Sequence, residues 1–188
     1  MARAIFFTIF ALLLATVLAV PAQIEPRQFS PGDIINALGI GLVTDIHAFI
    51  TLESLTNNLI SINFDVKNPL PIELTIKKIS SSAGLNKTEF ARFEHTFPSP
   101  GLIVGPLATK NSGNIDNVLV TQGVANSLDI IPFGVLDLLS TDADVQAATI
   151  AGHLGFPVAL DGLMQDGVPT TFVLQAFADW LHANQCHF

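Results

Sequence analysis

Apolar and polar side chains alternate strictly over residues 60–67, and this period of two sets narrow limits on the secondary structure of the chain. Ile60, Ile62, Phe64 and Val66 point one way, while Ser61, Asn63, Asp65 and Lys67 point the other. Such alternation predicts a β-strand with one buried face. The same signal predicts further strands over residues 40–52, 70–79, 90–97, 102–104, 145–154, 156–160 and 170–178, and a strand or the start of a helix over 114–121.

Turn signals and one helical stretch complete the predicted architecture. Asp161-Gly162 and Asp166-Gly167 are typical of turns between strands. Residues 127–139 favour a short amphipathic helix despite Pro132, and we expect it to pack on the core. The alternative is a lid over an apolar groove. Many short strands with one or two short helices predict a mostly-β sandwich.

The N-terminal segment has the organisation of a secretory signal. Arg3 precedes an apolar run over residues 4–20, and Val20-Pro21-Ala22 offers a cleavage site after Ala22. The alternative is a retained membrane anchor, although about 17 residues is short for a span. We therefore expect a signal peptide over 1–22, a lead-in over 23–39, a single domain over 40–178 and a tail over 179–188. The expected location is extracellular, with the vacuolar lumen or membrane anchoring as alternatives.

The composition of the chain restricts the classes of partner that it is expected to bind. The chain has 188 residues with 16 acidic and 8 basic side chains, giving a formal net charge of −8. This charge argues against binding to nucleic acid, which requires a basic surface. It also argues against electrostatic docking to anionic lipid, so membrane contact is expected only if the N-terminal segment is retained. The single cysteine, Cys186, excludes an intramolecular disulfide and leaves a disulfide to another chain open.

The segment NLISINFDVKNPLPIELTIKKI resembles the start of the LEA-2 domain, the late-embryogenesis-abundant group 2 or water-stress-and-hypersensitive-response family. The resemblance lies in an alternating strand that ends at Asn68-Pro69 and a second alternating strand after it. Residues 97–101 and the run NIDNVLVTQG resemble later family positions, and the similarity extends over roughly 45–178. The chain is also similar to secreted fungal single-domain proteins of unknown function.

The resemblance implies a fold and a broad role. The fold is an immunoglobulin-like or fibronectin-III-like β-sandwich, with Asn68-Pro69 at the turn between consecutive strands on a sheet edge. The family's members are binding or protective modules without agreed catalytic residues, and apolar grooves are a suspected use of the fold. The resemblance therefore implies no active site.

Candidate sites outside that motif are few. Asn86-Lys87-Thr88 is an N-glycosylation sequon in a polar loop. His182, Cys186 and His187 cluster in the tail, but a closed zinc site needs a fourth ligand. His47, His95 and His153 are scattered, and His95 is expected to be partly buried and hydrogen-bonded. Four acids in predicted turns match no EF-hand spacing: Asp142, Asp144, Asp161 and Asp166.

Signatures of enzymes are missing from the sequence. It contains no Gly-x-Ser-x-Gly elbow, no His-Glu-x-x-His and no Gly-rich phosphate loop. The sequence thus predicts a secreted, non-catalytic binding or stress-protective module without metal or cofactor. Its expected partner is a protein or an apolar ligand. The first alternative is a carrier of a lipid or other apolar ligand, and the second is a hydrolase whose residues come together only in the fold.

Overall fold

Strands dominate the part of the chain that the computed structural model describes, which is residues 39–175 together with Gly32 and Asn36. Nine strands are formed there: β1 (Val43–Ile50), β2 (Leu59–Lys67), β3 (Leu74–Leu85), β4 (Thr88–Thr96), β5 (Leu102–Val104), β6 (Thr109–Asn111), β7 (Ile115–Val120), β8 (Val135–Ala147) and β9 (Phe156–Leu174). Two short helices, α1 (Ser54–Asn57) and α2 (Val124–Ser127), and a 3₁₀ helix (Leu128–Phe133) lie between them. The predicted signal over 1–22 and tail over 179–188 fall outside the described residues.

Seven of these strands close into a barrel. Their order is β1-β9-β8-β3-β4-β7-β2, and β2 pairs back onto β1 to complete the ring. The β1–β9 pairing is parallel and the other barrel pairings are antiparallel. The predicted immunoglobulin/fibronectin-III-like sandwich is therefore wrong, because the strands form one closed sheet rather than two stacked sheets.

The curvature of the long strand β9 explains part of this difference. Asp161-Gly162 and Asp166-Gly167, predicted as turns, lie inside this strand of 19 residues. Both glycines have φ of 65°, and the register with β8 shifts beside each of them. They are β-bulges, which bend a strand and increase its twist. The Gly162 N–H donates to Asp142 on β8 at 2.7 Å, which holds that bulge in place.

Further element boundaries differ from the sequence prediction, and two of them lie at β3 and at the start of β8. The strand predicted over 70–79 begins only at Leu74, so Leu70 and Ile72, assigned to its buried face, are 43% and 38% exposed. Pro69 and Pro71 fall in the connection, where no ladder hydrogen bond is needed. The helix predicted over 127–139 ends at Phe133, because Gly134 adopts a left-handed φ of 64° and β8 begins at Val135.

The barrel has two different ends. Helices α1 and α2 and the 3₁₀ helix cover one of them, which we call the helix end. Four connections form the other, which we call the loop end: residues 68–73, 97–101, 105–108 and 148–155. Between the ends lies the apolar core, contributed by all seven barrel strands. Within the described residues, no helix is both long enough and apolar enough to cross a membrane.

Candidate functional site

The barrel interior contains two apolar cavities. The first, of about 80 Å³, lies toward the helix end. Side chains from all seven barrel strands line it, among them Ile46, Ile62, Phe64, Phe93, Val118 and Phe172. Alternation along each strand directs these side chains inward, which is how period two creates an apolar interior.

The 3₁₀ helix covers the first cavity. Ile130 on this helix is 8% exposed and forms part of the cavity wall, as does Val124 on α2. The backbone N–H of Val124 donates to the Asn58 side chain at 3.0 Å, which fixes α2 beside β2. The 3₁₀ helix also exposes the side chain of Phe133 to solvent. Residues 127–139 were predicted to form either a helix packed on the core or a lid over a groove. The helical part of this stretch packs inward and also covers a cavity.

The second cavity, of about 70 Å³, lies toward the loop end. Its walls include Leu42, Val66, Leu74, Val104, Val145 and Leu160. Four residues line both cavities, and we call them the waist: Val43, Ile79, Leu138 and Thr141. The two cavities are therefore neighbouring compartments of one apolar interior.

Buried polar groups of the barrel and its connections form hydrogen bonds with one another. The hydroxyls of Ser81 and Thr141 lie 2.7 Å apart at the waist. Those of Thr75 and Thr149, which line neither cavity, lie 2.8 Å apart near the loop end. Among the described residues, no buried side-chain nitrogen or oxygen lacks a hydrogen-bond partner. The interior is consequently suited to apolar ligands, because none of these polar groups is free to recognise a polar one.

Asn68 occupies the junction of β2 with the loop end. Its side chain is 1% exposed, and its amide donates to the carbonyls of Ile72 at 2.7 Å, Gly105 at 3.0 Å and Val104 at 3.2 Å. Its side-chain oxygen accepts from the Leu70 N–H at 2.9 Å. The Asn68-Pro69 pair does stand between consecutive strands, but at the end of a closed barrel rather than on a sandwich edge. It joins the 68–73 connection to the 105–108 connection.

Asn86 lies at the exposed tip of the β3–β4 hairpin. Asn86 and Lys87 have φ of 51° and 66°, the left-handed pair typical of a two-residue type I′ turn. Asparagine is among the few residues that adopt this conformation readily, so the turn itself explains its presence. The position is accessible to a glycan, and glycosylation stays a prediction.

The predicted histidine and aspartate candidates do not converge on one site. His47 lies 3.3 Å from Asp45, His95 is half-buried with its ring edge-on to Phe97 at 4.8 Å, and His153 belongs to the 148–155 connection. The four predicted turn acids lie in strands instead: Asp142 and Asp144 in β8, Asp161 and Asp166 in β9. Across residues 39–175, no three His, Cys, Asp or Glu side chains are grouped to hold a metal ion. His182, Cys186 and His187 lie outside the described residues.

Two surface carboxyl groups have lowered pKa values. The Gly152 N–H, 3.0 Å away, and then the Thr149 hydroxyl at 2.8 Å lower the pKa of Glu73. The hydroxyl of Ser61 at 2.6 Å and the Asn114 amide at 2.7 Å lower that of Asp116. Both carboxylates act as hydrogen-bond acceptors that fix loops. No sequence pattern singled out Glu73, because its partners lie 76 and 79 residues away.

Comparison with known proteins does not identify a family for this chain. No family model and no curated protein matches the sequence. A protein from Archaeoglobus fulgidus, known from a crystal structure, aligns with a TM-score of 0.30 and 11% identity, over 57% of this chain and 80% of that one. The solution structure of AT1g01470 from Arabidopsis thaliana aligns with a TM-score of 0.36 and 16% identity, over 70% and 82%. At this similarity neither structure identifies a family, and the LEA-2 resemblance stays a prediction.

Proposed function

We propose that the protein binds a small or slender apolar molecule, with an alkyl chain as the chemical class, inside the barrel. The observation that supports this proposal is the pair of apolar cavities that adjoin at the waist beneath the 3₁₀ helix. Of the functions expected from the sequence, a carrier of an apolar ligand agrees best with this arrangement. The proposal includes no catalytic step.

Cavity size limits the ligand. Each cavity is several times larger than the roughly 10–15 Å³ needed for one water-sized sphere. Both are small beside the roughly 300–1,000 Å³ of pockets for drug-sized ligands. A linear chain that passes the waist would use both compartments, with Ile79 and Leu138 shifting to admit it. A bulky ring system would require much larger rearrangement.

Entry is proposed at the helix end. The 3₁₀ helix has only six residues and is followed by Gly134 in a left-handed conformation. A segment this short, flanked by glycine, can move with few changes in backbone angles. Movement of Ile130 away from the barrel would open the first cavity to solvent. This proposal carries forward the expected extracellular location, where a secreted carrier would collect its ligand.

The test fills the cavities from within. Ala83→Leu adds a larger side chain to the wall of the first cavity, and Ala143→Leu does the same in the second. The control is Ala125→Leu on the exposed face of α2. Binding is measured with trans-parinaric acid, a linear fatty acid whose conjugated double bonds fluoresce in apolar surroundings. Native mass spectrometry of the secreted protein detects a carried ligand.

Binding of the fluorophore should fall about tenfold in Ala83→Leu, since about 1–2 kcal/mol of apolar contact is displaced. Ala125→Leu should bind like the wild type. Added methylenes in a core destabilise a protein by about 1–3 kcal/mol. Thermal unfolding is therefore measured for each variant to show that it is folded. Equal binding by all three folded variants would place the fluorophore outside the barrel and overturn the proposal.

A further inference from the structure

Large apolar side chains are exposed to solvent at both ends of the barrel, and the loop end carries one such group. Six of them project from three connections and the start of β9: Leu70, Ile72, Leu107, Ile150, Leu154 and Phe156. Leu154 and Phe156 are 78% and 73% exposed. Scattered single apolar residues are ordinary on a protein surface, whereas apolar side chains grouped on adjoining turns can form an interaction site.

Hydrogen bonds join the connections into one platform. The Leu107 N–H donates to the Leu70 carbonyl at 3.0 Å. The Glu73 carboxylate accepts from the Thr149 hydroxyl and the Gly152 N–H, which fixes the 148–155 connection against the 68–73 connection. The apolar side chains are therefore held at adjacent tips of turns rather than on independent loops.

The charge of the loop end differs from that of the whole chain. Its four connections contain a single carboxylate, Glu73, which is already engaged in two hydrogen bonds. Lys67 and Lys110 are exposed at its rim, in adjoining positions of β2 and β6, and the Lys77 ammonium donates to the Pro100 carbonyl. A chain with a net charge of −8 thus places two exposed lysines at one side of this apolar group, two residues after Asp65 in the case of Lys67.

We propose that the loop end docks onto a phospholipid bilayer that contains anionic lipid. Leu107, Leu154 and Phe156 would enter the boundary between headgroups and acyl chains, with Lys67 and Lys110 against the phosphates. Membrane association of this kind combines buried apolar area with attraction between lysines and anionic headgroups. The net charge argued against such docking, but the local distribution of charge decides contacts within a Debye length of about 10 Å.

The helix end offers a contrast that favours this choice. Six large apolar side chains are exposed there as well: Leu52, Leu55, Leu119, Leu128, Phe133 and Leu174. Glu53 directly follows Leu52, and Asp129 directly follows Leu128. The connections at this end therefore carry two carboxylates against one exposed lysine, Lys87, and attract anionic headgroups less than the loop end does. Docking through the loop end goes beyond ligand binding and uses apolar side chains that line neither cavity.

Vesicle flotation tests the proposal with the chain as a eukaryotic host secretes it. Vesicles of phosphatidylcholine, with and without phosphatidylserine, are compared. The variant is Leu154→Asn with Phe156→Thr, and Leu154→Asn suits the fold because Leu154 has a left-handed φ of 61°. The matched control is Leu52→Asn, which removes an apolar side chain 66% exposed at the helix end.

We expect the double variant to bind vesicles at least about tenfold more weakly, since two apolar side chains no longer insert. Leu52→Asn should bind like the wild type. Lys67→Gln with Lys110→Gln should weaken binding by about fivefold or more, and only when phosphatidylserine is present.

Three outcomes would overturn the proposal. In the first, the wild type fails to float with either kind of vesicle. In the second, all variants float alike, which would assign binding to a retained N-terminal segment. Alternatively, the loop-end variants could abolish self-association or a complex with a protein while vesicle binding is absent, which would identify a protein interface. Fluorophore binding by the same variants should stay unchanged, so failure of docking is distinguishable from failure of the cavity proposal.

Discussion

Asn68→Ala removes a buried side chain that joins two connections of the loop end, and we expect it to be among the most destabilising polar substitutions in the chain. The variant loses the contacts of the Asn68 amide with the carbonyls of Ile72 and Gly105, and the Leu70 N–H loses its acceptor. A net loss of about 0.5–1.5 kcal/mol per hydrogen bond, or about 1–3 kcal/mol for each buried group left unpaired, gives roughly 2–4 kcal/mol. That is a large part of a total stability of about 5–15 kcal/mol.

Urea unfolding followed by far-ultraviolet circular dichroism measures this loss, and the melting temperature should fall by roughly 5–15 °C. Dichroism is chosen because the chain has no tyrosine and its one tryptophan, Trp180, lies outside the described residues. The control is Asn126→Ala, which removes one exposed hydrogen bond of 3.1 Å to the Gln122 carbonyl. It should change stability by less than about 0.5 kcal/mol.

Asn68→Asp adds a second comparison, since it keeps the acceptor for Leu70 but replaces the donating amide by a carboxylate that faces carbonyl oxygens. At neutral pH we expect it to be at least as destabilising as Asn68→Ala, with partial recovery at acidic pH as the carboxylate gains a proton. The account of Asn68 would be refuted if Asn68→Ala stayed within about 1 kcal/mol of the wild type. It would also be refuted if the cost equalled that of Asn126→Ala.

Three further predictions concern single positions. Gly162→Ala should cost about 1–2 kcal/mol, because a φ of 65° strains a residue with a Cβ, and Gly162→Asn should cost less; calorimetry decides between them. Glu73 has a lowered pKa, so its stabilisation is present above its ordinary pKa of 4.5 and is lost as pH falls through the folded value. The melting temperature of Glu73→Gln should therefore lie below that of the wild type at neutral pH and approach it in acid. Asn86→Gln should remove the mass of one glycan from protein secreted by a eukaryotic host; an unchanged mass would show that the sequon is unused.

The alternation of apolar and polar residues predicted several strands to within a few residues of their observed bounds. Residues 60–67 correspond to β2, residues 90–97 to β4 (Thr88–Thr96), and residues 102–104 to β5. Alternation with a period of two indicates that a strand has one buried face. Strands of a sandwich and strands of a closed barrel both have this property. The choice between sandwich and barrel depends on bulges such as that at Gly162 and on the parallel pairing of β1 with β9, which joins residues far apart in sequence. Local patterns do not contain that information.

The loop end shows a second limit of pattern reasoning. Leu70 and Ile72 continue the alternation of β3, so the sequence assigned them to a buried face, but the strand begins only after them at Leu74. The prolines before them were the signal that the ladder starts late, because neither can donate to it. The cavities could not be predicted from the sequence either, because their volume depends on how side chains from seven strands fill one space.

Asn68 connects stability with the proposed docking surface. Its amide holds the 68–73 connection against the 105–108 connection, which places Leu70 beside Leu107, and the residue also lines the second cavity. At a temperature where Asn68→Ala is still folded, we therefore expect weaker vesicle binding, by about fivefold, because a less rigid platform loses more conformational entropy when it docks. Asn126→Ala should bind vesicles like the wild type. Equal vesicle binding by folded Asn68→Ala and wild type would show that docking depends on exposed apolar area alone and not on the arrangement that Asn68 maintains.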